Sequence, residues 1–106
     1  MDLLNIETEE ENNLITQMLT NLTNIDHVWT SGTDLQEEGS YVWMSTGEGF
    51  TFTNWEPRQP DNFLNAEHCI EIRKSNEQGY YWNDSYCSYK FKFVCEVTNC
   101  ASSCKC

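Results

Sequence analysis

The chain has 106 residues, enough for one domain with one modest core. At 39% hydrophobic and 13% aromatic it is too apolar for a disordered acidic chain, despite a net charge of −11. Its six Lys and Arg are too few for a nucleic-acid footprint or for attraction to anionic membranes, and no apolar run is long enough to span a bilayer.

The opening residues, MDLLNIETEEENN, lack a basic start followed by an apolar stretch, so no signal peptide is expected within this chain. Thr8 to Glu11 reads as a capping box, and the three glutamates suit the positive end of a helix. Leu14, Ile15, Met18, Leu19 and Leu22 then recur at helical spacing, predicting an amphipathic helix over about 9–21 with Met18 in the core. Beyond it the period changes. Short strands are expected at His27-Val28-Trp29, Tyr41-Val42-Trp43-Met44 and Phe50-Thr51-Phe52, with polar turns between them. Trp29, Trp43, Trp55 and Trp82 are expected as core residues.

From Asn54 to His68 the chain has no period, which marks a functional or disordered loop. Strand-like runs resume at Cys69–Ile72, Gly79–Trp82 and Phe91–Cys95. The fold class is α+β, a helix followed by antiparallel strands around an irregular region. Residues 1–97 form the domain and residues 98–106 a cysteine-rich tail. Six cysteines point to an oxidising compartment. Cys69 and Cys87 flank a plausible hairpin, and a bridge between them would contribute roughly 3 kcal/mol in the chain-entropy model. Cys95, Cys100, Cys104 and Cys106 have several options: local bridges, another chain, or a soft metal. Two N-x-S/T triplets, at Asn21 and Asn83, agree with a secreted protein, and Asn21 is the expected glycosylation site.

A Cys69–Cys87 bridge would bring Trp82-Asn83-Asp84 near the irregular loop. Gln59, Asp61, Glu67, Asn83 and Asp84 then offer three carboxylates and two carboxamides. Such hard oxygen donors suit calcium, which takes six to eight oxygens and would keep positions for water or ligand hydroxyls. A vicinal diol can take those positions. The same side chains can exchange hydrogen bonds with its hydroxyls. Pro60 would fix the separation of Gln59 and Asp61, and a cis bond is compatible with it.

The order of IETEEEN, VWTSGTDL, EEGSYVWMSTG, NWEPRQPDN, EHC, WND and FVCE, from Leu3 to about Glu96, resembles the C-type lectin-like domain, most closely the secreted lectins of insects. The resemblance implies a disulfide-stabilised α+β domain with a long calcium-binding loop. It implies Gln59, Asp61, Glu67, Asn83 and Asp84 as calcium and sugar ligands, and Phe63 as an aromatic contact to the sugar. Gln-Pro-Asp implies a galactose-type glycan, where Glu-Pro-Asn would imply mannose. The biological setting implied is glycan or microbial recognition outside the cell. An accessory calcium site would use Asp34 and Glu38. Asn62 and His68 stand where that site usually has acids, so it is expected to be weak or absent. Glu56, Arg58 and His68 are expected as bystanders. The family's first strand and helix, with a cysteine that pairs with the one matched by Cys95, are expected to be missing. The alternative function is a calcium-independent protein-binding module of the same fold. No nucleophile–base arrangement points to an enzyme.

Overall fold

The computed structural model describes residues 2–22, 25–75, 79–93 and 95–96; Cys100, Cys104 and Cys106 lie outside them, and so does the tail. Strand β1 (Asp2–Leu3) pairs antiparallel with β8 (Cys95–Glu96). The larger sheet has the order β4-β3-β2-β5-β6, formed by Glu48–Gly49, Val42–Trp43, His27–Thr33, Cys69–Ser75 and Gly79–Ser85 respectively. These neighbours are antiparallel, whereas β7 (Lys92–Phe93) runs parallel to β2.

Helix α1 (Glu9–Thr20) begins as expected, with the Glu11 N–H donating to Thr8 Oγ1 at 3.1 Å. Its buried stripe differs from the one predicted. Leu19 is buried and Ile15 packs on the core, but Leu14, Met18 and Leu22 are exposed. The reason is Asn12, a buried residue whose Oδ1 accepts the Trp82 Nε1 hydrogen at 3.2 Å. That bond turns the 12–15–19 line toward the sheet and carries Met18 outward.

Two further expectations need correction. Phe50-Thr51-Phe52 is not a strand; the ladder ends at Gly49, and Phe50 and Phe52 serve as packing residues beside it. Trp82-Asn83-Asp84 lies inside β6, where a position just after the strand was expected. The full β5–β6 ladder from Cys69↔Ser85 to Ser75↔Gly79 carries it there. The disulfide joins Cys69 and Cys87 just beyond the paired end of this ladder.

The core gathers Leu4, Ile6, Leu19, Val28, Trp43, Ile70, Ile72, Tyr80 and Trp82. Trp82 is its aromatic hub: it meets Trp43 and Phe50 edge-on at 5.6 Å, Phe52 at 5.8 Å and Trp55 at 5.9 Å. Edge-to-face contacts of this kind add roughly 0.5–1.5 kcal/mol each beyond area burial. Trp29 is only half-buried and packs with Phe91 outside this cluster, at 4.7 Å.

Gly32 in β2 is required by space. A Cβ there would sit 2.7 Å from Phe50 Cζ and 3.1 Å from Ile70 Cβ. Gly32→Ala should destabilise the domain by about 1–3 kcal/mol through overpacking, read as a lower midpoint in urea or thermal unfolding.

Candidate functional site

The loop from Asn54 onward is stitched to β6 before it turns outward. Trp82 N–H donates to Asn54 O and Glu56 N–H to Trp82 O, both at 2.9 Å. Glu56, expected as a bystander to the ligand set, forms an ion pair with Arg73 on β5, with Arg73 Nε 3.1 Å from Oε2. The Gln59–Pro60 peptide is cis.

On both sides of this proline the backbone takes unusual shapes that side chains hold. Arg58, Asn62, Leu64 and Asn65 all have positive φ, from 46° to 74°, a conformation that Asn tolerates better than most residues. The Asp84 carboxylate is fully buried and accepts the Asp61 N–H at 3.2 Å and the Asn62 N–H at 2.6 Å. Glu67 Oε1 accepts the Phe63 N–H at 3.1 Å, and Asn62 Oδ1 accepts the Glu67 N–H at 3.2 Å. Phe63 opens a 3-10 turn, Phe63–Asn65, and the residue is 56% exposed.

These bonds bring Asp61, Glu67 and Asp84 together, with one carboxylate oxygen from each lying within 4.8 Å of the others. Among the described residues no basic side chain is salt-bridged to any of the three. The electrostatic cost falls on Glu67, whose carboxyl is pushed up to about 7 by burial, by its hydrogen bond to Asp61 and by the charges of Asp84 and Asp61. Burial likewise raises Asp84, though the Asn62 and Asp61 amides oppose the shift. Gln59 Oε1 is shielded from solvent with no hydrogen-bond partner. An acidic cluster without a counter-charge fits a hard cation, and Gln59, two residues before Asp61, has an unpartnered amide oxygen of the same donor type.

Asn83 is placed differently. As the strand neighbour of Asp84 it points to the opposite face. There its Nδ2 donates to Glu71 Oε2 at 3.0 Å and to Ser85 Oγ at 3.1 Å, and it is buried. Of the five expected ligands, the structure therefore clusters the three carboxylates and leaves Asn83 bound to Glu71.

A second cluster forms where Asp34 and Glu38 meet His68. His68 was expected to be a solvated bystander, but its Nδ1 lies 3.0 Å from Asp34 Oδ1 and 3.4 Å from Glu38 Oε1. Asn62 Nδ2 donates to Glu38 at 2.9 Å, and the Gly39 N–H donates to Asp34 Oδ2 at 2.9 Å. The hydrogen bond to Asp34 raises the His68 pKa and thus favours the imidazolium. Burial pushes Asp34 up, but its bonds to Gly39, Glu38 and His68 outweigh that and hold it below the ordinary value. Here an imidazole and amide donors face the acids, while the hydrogen bond to Asp34 raises the Glu38 pKa. The sequence reading missed the network around Glu71. Its position between Ile70 and Ile72 in an alternating run suggests a solvent-facing acid, yet it is buried against His27 Nδ1 at 2.6 Å.

The asparagine of one N-x-S/T triplet, Asn83, is buried, whereas Asn21 is exposed at the end of α1. No helix among the described residues is long and apolar enough to cross a membrane.

Comparison with known proteins agrees with this architecture. The model of the lectin C-type domain matches residues 2–97. The salivary C-type lectin 2 of Aedes albopictus is 37% identical over 71 residues, covering 65% of this chain and 47% of that protein. The alpha-N-acetylgalactosamine-specific lectin of Patiria pectinifera is 37% identical over 98 residues, covering 91% of this chain and 57% of that protein. The chain thus spans about half the length of these relatives. The crystal structure of the C-type lectin CEL-I from Cucumaria echinata superposes with a TM-score of 0.76 at 26% identity, over 87% of this chain and 64% of that one. With one α-helix among the described residues, a mainly antiparallel sheet, the Cys69–Cys87 bridge and a match along nearly its whole length, the chain belongs to the C-type lectin domain family.

Proposed function

We propose that this domain is a secreted, calcium-dependent lectin for galactose-type glycans, acting by binding alone. The observation that carries the reading is the convergence of Asp61, Glu67 and Asp84 without a protein counter-ion. Calcium would take these carboxylates with Gln59 and supply a positive centre on which two sugar hydroxyls can sit. Gln59 and Asp61 would orient them, one through an amide and the other through a carboxylate. Phe63 is exposed at the rim, where an aromatic face can cover the apolar side of a galactose-type ring. The name of the N-acetylgalactosamine-specific relative supports this sugar class. Asn83 is proposed as a further ligand through its Oδ1, which would require its side chain to turn from the Glu71 face of β6 toward the loop. Microbial surface glycans are within the same chemistry, and Asn21, being exposed, is the site proposed for glycosylation. In the second cluster His68, Asn62 and the Gly39 amide already occupy oxygens of Asp34 and Glu38, so we propose no accessory ion there.

Retention on immobilised galactose should require millimolar calcium and vanish in excess EDTA, as should binding by Asp61→Ala. Retention that persisted in EDTA, or in that variant, would overturn the calcium-dependent reading, and calcium-independent capture of a protein partner that survived Asp61→Ala and Asn83→Ala would favour the protein-binding module. The double variant Gln59→Glu with Asp61→Asn should reverse the order of elution by galactose and mannose, because it exchanges the amide and the carboxylate across the proline. A third test is pH. Glu67 binds its proton more tightly in the fold than when unfolded, so calcium must displace a proton below about pH 7. Calcium affinity should fall roughly tenfold per unit as pH drops from 7 toward 5, measured by titration calorimetry. Without calcium, this group's effect on stability has the opposite sense: the domain should lose stability as pH rises from 4.5 through about 7.

A further inference from the structure

Helix α1 leaves an apolar row uncovered. Leu14 and Leu22 are 65% and 49% exposed, and Met18 is exposed with them. The Asn12 bond to Trp82 fixes which line of the helix faces the sheet, so these three stay outside while Ile15 and Leu19 pack inward. At about 100° per residue, Leu14, Met18 and Asn21 fall within an arc of about 60° on the solvent side. Asn21 closes the helix with helical backbone angles, φ −83° and ψ −8°. Its N–H donates to Gln17 O at 3.3 Å and to Met18 O at 3.2 Å. The side chain therefore leaves the last turn in the helical direction, back toward the N-terminus and over the row that holds Met18 and Leu14.

Asn21 also opens the triplet Asn21-Leu22-Thr23 and is exposed. The row and the attachment point thus belong to one helix face. From Asn12 to Leu22 the sequence has no charged residue, in a chain of net charge −11. A neutral strip suits a neutral occupant. An N-acetylhexosamine joined to Asn21 presents an acetyl methyl and a ring face of C–H groups, both apolar, while its hydroxyls stay in water. About 10 Å of helix separates Asn21 from Leu14, within reach of a short oligosaccharide core. A polar hollow of about 400 Å³, lined by Thr16, Thr20 and Tyr81 among others, is the competing resting place. Thr16 and Thr20 lie roughly 100° or more around the helix from Asn21, which favours the apolar row.

We propose that the glycan on Asn21 folds back along α1 and covers Leu14 and Met18, so that the modification completes the outer face of the helix. This rests on the glycosylation of Asn21 proposed above. A sugar tethered at the end of the row is already at high effective concentration there, so little further freedom is lost when it packs. The row exists only while the helix is formed. The contact therefore stabilises the folded state over the unfolded one.

The test uses the full chain secreted from a eukaryotic host, with occupancy of Asn21 read by mass spectrometry. The thermal midpoint of the glycosylated chain should exceed that of Asn21→Gln by about 4 °C. The double variant Leu14→Ser, Met18→Ser alters only exposed side chains. Compared with its own Asn21→Gln form, it should gain less than half as much from the glycan. Trimming the parent to the innermost N-acetylglucosamine should keep most of the gain, with NOEs from the acetyl methyl to the Met18 methyl. An unoccupied Asn21 would overturn the glycosylation reading and this proposal with it. An occupied Asn21 whose gain is absent, or equal in both backgrounds, would overturn the covering alone, as would acetyl NOEs to Tyr81 in place of Met18.

Discussion

The site depends on one buried carboxylate. Asp84 sits in a strand whose register is fixed by seven cross-strand pairs, and its oxygens take up the amides of Asp61 and Asn62. Those two bonds convert a rigid ladder into a coordinate frame for an otherwise irregular loop. The preceding residue but one, Trp82, is the aromatic hub and also bonds the helix through Asn12. Core packing and loop geometry are thus set within three consecutive residues. Damage to the tryptophan would reach the site through Asp84 without touching any ligand.

The two acidic clusters contrast in how their charge is met. In one, His68 and the amide of Asn62 stand against Asp34 and Glu38. In the other, three acids face each other and the strain appears as a raised Glu67. Asn62 belongs to both: its Nδ2 serves Glu38, its Oδ1 serves the Glu67 amide, and its own N–H goes to Asp84. Closing one cluster with protein groups therefore helps to shape the other.

Much of this was legible in the sequence because it rests on local chemistry. The cap at Thr8, the strands beginning at His27, Val42, Cys69 and Gly79, and the bridge between Cys69 and Cys87 follow from spacing and residue type. The helix face was misjudged because an apolar count cannot see that Asn12 is held inward by an indole. The extent of β6 was underestimated because Asn-Asp-Ser reads as a turn, and only the β5 partner makes it a strand. His68 and Glu71 escaped for a related reason. Their partners lie 34 and 44 residues away, and no local pattern signals such pairs.

The left-handed residues of the loop have a consequence for how such a domain can change its preference. Arg58, Asn62, Leu64 and Asn65 carry the curvature, whereas Gln59 and Asp61 carry the amide and carboxylate proposed to meet a ligand. The two duties fall on interleaved but different positions. On the proposed reading, exchange at Gln59 and Asp61 would alter recognition without disturbing the trace of the chain, a division of labour that would let one scaffold diversify by few steps.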